Sequence, residues 1–196
     1  EIPLLEWIAV LAFFAALGLL LAKKAGGPLT SDELYYMDAG LNGIKDPMIL
    51  FYYFHIYLQR IFMELAPSPL AGAKFFWAFL ISATGISIYL STRLLSSRNH
   101  FLNASLATAL FLSLEFISRY SGVTKNDLTA MMLVAVFFFF YLVAWKVGFP
   151  RWTLVVLGFL FFLTFKTKET SILASFVLVG CGFQVDDVFN SKLLLK

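Results

Sequence analysis

The chain is 196 residues long, 60% hydrophobic, 18% aromatic and only 14% charged, with a mean hydropathy of +0.83. A soluble domain carries about 25% charged residues, so this composition excludes an ordinary soluble enzyme and marks an integral membrane protein facing lipid or other apolar helices. The net charge of +3 is too small to argue for a nucleic-acid partner, and the single cysteine, Cys181, forms neither an internal disulfide nor a thiolate metal cluster.

A helix needs about 20 apolar residues to cross the hydrocarbon core, and six stretches come near that length. Glu1 rather than Met opens the chain, which reads as a processed start or as a piece of something longer. The first apolar stretch is Leu4 to Ala22. It lacks the basic leader of a signal peptide and reads as an uncleaved anchor. A polar stretch from Lys23 to Pro47 follows, with Gly26, Gly27 and Pro28 as breakers.

Met48 to Leu65 is long enough to span but carries His55, Gln59, Arg60 and Glu64. Its tyrosines, Tyr52, Tyr53 and Tyr57, suit the membrane–water boundary. It reads as a helix lying at the interface, with a spanning helix as the alternative. Residues 66–72, "APSPLAG", break the pattern. The further expected spans are Ala73 to Leu95, Phe101 to Ile117, Leu128 to Trp145, and two short ones, Trp152 to Phe165 and Thr170 to Phe183. Asn103, Ala104 and Ser105 match a glycosylation acceptor, but they open a span and read as a chance match. The expected architecture is all-α. It is a polytopic transmembrane bundle of about six spanning helices, with a first loop at 23–69 holding interfacial helices, five spans within 73–183 and a tail at 184–196.

Six spans define two sets of loops. One set holds Lys23 to Pro69, Arg119 to Asn126 and Lys166 to Glu169, and it collects Asp32, Glu33, Asp38, Asp46, Lys125, Asp127, Lys166, Lys168 and Glu169. The other set carries ordinary basic turns. Carboxylates on one membrane face serve as a general base or hold a divalent cation, and lysines hold a phosphate. Each group also has a structural reading. Asp32 and Glu33 open a short helix capped by Thr30 or Ser31. Asp127 caps the span that follows it, and "KTKET" at 166–170 is a solvated turn. Glu115 and Arg119 stand in the favourable order for a helical ion pair. His55 reads as a satisfied interfacial histidine rather than a metal ligand.

Three segments together resemble the type C superfamily of polyprenyl-phosphate-sugar-dependent glycosyltransferases, in its protein mannosyltransferase and lipid A aminoarabinose transferase branches. They are "SDELYYMDAG" from Ser31 to Gly40, "TKNDLTAMML" from Thr124 to Leu133, and "FLTFKTKETSILA" from Phe162 to Ala174. The chain departs from the pattern where the family often shows a Pro-Pro-Leu-like element, since "DPMILFYYF" stands there. The family also has about twice as many spans, so the resemblance implies that the chain corresponds to its N-terminal module.

The resemblance implies Asp32 as the general base. It implies Glu33, Asp127 and Glu169 as substrate-binding acids, and Lys166 and Lys168 as the cations facing the lipid phosphate. It implies membrane lipids and a polyprenyl-phosphate-linked sugar as partners. Some members need a divalent metal and others do not, and no ligand set stands out here, so the cofactor stays open. It places the first loop on the extracytoplasmic face, whereas the Lys and Arg count favours the cytoplasm for that loop set. The alternative expectation is a non-catalytic accessory subunit that packs against other membrane subunits.

Overall fold

The computed structural model describes residues 3–24, 31–43, 52–96, 98–114 and 126–168. Among them are seven helices and no strand. These are α1 (Leu4–Lys24), α2 (Ser31–Asn42), α3 (Tyr53–Leu65), α4 (Pro69–Leu95), α5 (His100–Leu112), α6 (Asn126–Lys146) and α7 (Arg151–Thr167). The all-α architecture is as expected.

Three helices, α1, α4 and α6, are long and apolar enough to cross a membrane, and the protein is membrane-spanning. The expected span from Phe101 to Ile117 is represented by the 13 residues of α5, about 20 Å at 1.5 Å per residue, less than the roughly 30 Å hydrocarbon core. α7 has 17 residues and runs slightly beyond the expected Trp152 to Phe165. The expected sixth span, Thr170 to Phe183, and the tail lie outside the described residues.

The start of α4 also differs from expectation. The break expected over 66–72 is confined to Ala66, Pro67 and Ser68, and α4 begins at Pro69. Proline suits the first helical position because its missing N–H has no intrahelical partner there. The Ser68 side chain caps the helix by accepting the Ala71 N–H at 3.2 Å.

α4 is the central element and packs against α1, α3, α5 and α6. Its Phe76, Trp77, Leu80 and Ile81 are fully buried, joined by Leu133, Phe137 and Tyr141 of α6 and Leu157 and Leu160 of α7. α1 runs antiparallel to α4. Small residues allow the approach: Ser82 lies where a Cβ on Gly18 would be 3.2 Å from its Oγ, and Gly85 lies beneath the Phe14 ring. α6 and α7 form an antiparallel hairpin through a turn at Gly148 and Phe149, both with positive φ. These directions bring the end of α1, the start of α4, the start of α6 and the end of α7 to one end of the bundle, where α2 and α3 also sit.

Candidate functional site

The site at that end starts with helix termini. Asp127 is in the first turn of α6, and Lys168 is the C-terminal cap residue of α7. An acid at a helix start and a base at a helix end both suit the helix dipoles. The hairpin brings the two together as an ion pair, although 41 residues separate them in the chain. Both side chains keep contact with solvent, at 53% and 35% exposure. Two predicted site residues therefore meet at one point. Lys166, two residues back on α7, lies with its ammonium 5.8 Å from the centre of the Phe162 ring.

Two residues into α6 from Asp127, Thr129 is fully buried and shares a 2.8 Å hydrogen bond with Nδ1 of His55 on α3. The His55 ring packs edge-on against Tyr36 of α2 at 5.0 Å and tilts against Phe76 of α4 at 5.4 Å. Tyr36 also meets Tyr52 at 6.2 Å. Ala39 and Ile56 complete the contact between α2 and α3. His55 thus connects four helices. The sequence reading places His55 at the membrane interface as a satisfied histidine; instead it is fully buried, and the Thr129 bond engages Nδ1. Thr129→Val keeps the side-chain shape and removes the hydroxyl. It is expected to lower stability by about 1–3 kcal/mol, the cost of unpairing a buried polar group. Thermal unfolding in micelles checks this, and an unchanged midpoint would show that the bond contributes nothing.

Asp32 and Glu33 occupy the second and third positions of α2, consistent with acids opening a short helix. Asp32 lies one turn ahead of Tyr36, whose ring contacts α3. The side chains of both acids lie outside the described residues. So do Glu169, Asp46, Lys125 and the Glu115–Arg119 pair. Asp38 accepts a 2.6 Å hydrogen bond from Asn42 one turn on. Among the described residues, no group of three or more His, Cys, Asp or Glu gathers to hold a metal ion.

The outer face of α3 carries a second polar pair. Arg60 Nε donates to Glu64 at 2.6 Å. That hydrogen bond and the neighbouring negative charge raise the guanidinium above its ordinary pKa.

At the other end of the bundle lies a cluster that the sequence reading missed. Arg93 near the end of α4 donates two hydrogen bonds to the Glu6 carboxylate, at 2.5 and 3.0 Å. Tyr89 donates a third at 2.7 Å. The partners stand 83 and 87 residues apart, so local spacing could not reveal them.

No family model, curated protein or solved structure matches the chain.

Proposed function

We propose that this protein is a membrane glycosyltransferase of the type C kind, or the N-terminal module of one. It transfers a sugar from a polyprenyl-phosphate donor to a lipid, glycan or protein acceptor. The supporting observation is the meeting of Asp127 and Lys168 at the end of the bundle to which α2, bearing Asp32 and Glu33, is packed through α3.

In this reading the first loop faces the extracytoplasmic side. Asp32 takes the proton from the acceptor hydroxyl or amine as that atom bonds to the anomeric carbon. The bond from that carbon to the phosphate oxygen breaks on the opposite face, and the configuration inverts. The departing phosphate keeps the electron pair, and Lys168 and Lys166 stabilise its growing charge. Asp127 holds Lys168 in place until the phosphate competes for it, and Glu33 and Glu169 orient the acceptor. A divalent metal would add positive charge at the same leaving group, and this reading leaves that requirement open.

The test is sugar transfer in reconstituted membranes containing a polyprenyl-phosphate-sugar donor. Asp32→Asn keeps the side-chain shape and removes the base, and it is expected to lower transfer by about 100-fold or more. Lys168→Ala is expected to lower transfer by a similar factor of about 100. Its effect on stability should stay below about 1 kcal/mol, because an exposed ion pair contributes little. Full activity in Asp32→Asn would remove it as the base.

A second reading, an accessory subunit in a larger membrane complex, draws on the outer surface of α1. Leu4, Leu5, Ile8, Leu11, Leu19 and Leu20 are all exposed, and that surface suits neighbouring helices. No transfer by wild type or variant would favour this reading.

A further inference from the structure

We propose that a small pocket on the outer face of α3 binds a single sugar ring. This assignment goes beyond the transfer reaction and stands without it. The pocket has a volume of about 180 Å³ and is lined by Gly40 and Gly43 near the end of α2 and by Tyr53, Ile56, Tyr57 and Arg60 of α3. At roughly 30 Å³ per water molecule it has room for about six waters, which a pyranose ring displaces. Tyr53, Tyr57, Arg60 and Glu64 lie on the opposite side of α3 from the buried His55 and Gln59, so the pocket opens on the face of α3 turned away from the His55–Thr129 contact.

Three features select the ligand class. First, Tyr53 and Tyr57 stack with ring centroids 5.5 Å apart and planes 20° apart, and both are exposed. An aromatic face is electron-rich, and the C–H face of a pyranose carries the complementary partial charge. Second, the Arg60–Glu64 pair offers donors and acceptors together with no net charge. Hydroxyl groups both donate and accept, so they fit such a pair. A phosphate would bring a second anion beside Glu64, so a neutral polyol is favoured over a lipid headgroup phosphate. Third, glycine keeps the α2 wall low at Gly43, which has a φ of +84° with open space around it.

The experiment is saturation-transfer NMR on the full chain in phosphatidylcholine nanodiscs, prepared without sugar-based detergent. Aromatic protein protons are irradiated, and the probes are methyl β-glucopyranoside, methyl α-mannopyranoside, glycerol and glycerol 3-phosphate. The expected result is transfer to the ring C–H protons of at least one glycoside and none to glycerol. Tyr57→Ala should weaken glycoside binding about three- to tenfold, while Tyr57→Phe, which keeps the aromatic face, should retain it. The assay reads binding alone, so loss of the transfer reaction would leave its result intact. Three outcomes overturn the proposal: no glycoside receives saturation, Tyr57→Ala binds as wild type does, or glycerol 3-phosphate displaces the glycoside. The last would give the pocket to a headgroup phosphate.

Discussion

Gly72→Leu is expected to leave no folded protein, and Gly72→Ala to lower stability by about 1–3 kcal/mol or more. Gly72 lies in the first turn of α4, where the chain has just reversed from α3. A Cβ there would lie 2.4 Å from the Met63 Cα, 2.5 Å from the Phe62 carbonyl oxygen and 2.7 Å from the Met63 nitrogen. Carbon atoms pack best at about 3.5–4.0 Å, so the helices would have to part by about 1 Å. All three obstacles are backbone atoms, and no rotamer change relieves them. Alanine's better helix propensity, about 1 kcal/mol, offsets only part of the cost. Gly40→Ala is the control, because the methyl end of the Met63 side chain can swing away from the 2.7 Å clash. Thermal unfolding in micelles should therefore separate the two alanine variants. Equal midpoints would mean that the α3–α4 corner is looser than its geometry.

Arg93→Ala is expected to destabilise the protein by about 3–5 kcal/mol, because it leaves the Glu6 carboxylate without its charged partner in a mostly buried place. The side chains of Arg93 and Glu6 are 14% and 12% exposed, and the pair links the far ends of α1 and α4. Glu6→Leu combined with Arg93→Leu should recover most of that loss, since a matched apolar pair avoids the desolvation of both charges. A double-mutant cycle measured by thermal unfolding decides the matter. Additive single effects, or a cost below about 1 kcal/mol for Arg93→Ala, would mean that lipid and water replace the bond fully.

The helices that the sequence made plain are those whose burial follows from long apolar runs, namely α1, α4 and α6. α4 started earlier than expected because Pro69 looks like a breaker and serves as a starter, given the cap from Ser68. The meeting of Asp127 and Lys168 was foreshadowed by counting spans, since alternate loops fall on one face. The role of His55 was not legible. In water, an amphipathic helix turns its apolar side inward. In a bundle bordered by lipid, α3 buries His55 and Gln59 and turns Ile61 and Leu65 outward, so polarity no longer reports exposure. Glu6 and Arg93 were hidden by their separation in sequence.

The buried hydroxyl groups have one more consequence. Thr84 donates to the Leu80 carbonyl, Ser87 to Ala83, Thr108 to Ala104, Thr164 to Leu160 and Thr167 to Leu163, each within its own helix. A helix that satisfies its own hydroxyls can enter the lipid bilayer before meeting a neighbour. The bundle is thereby suited to assembly in two stages during synthesis, with insertion of separate helices first and lateral association after. His55 with Thr129, and Glu6 with Arg93, join different helices, so these bonds form only once those helices stand side by side.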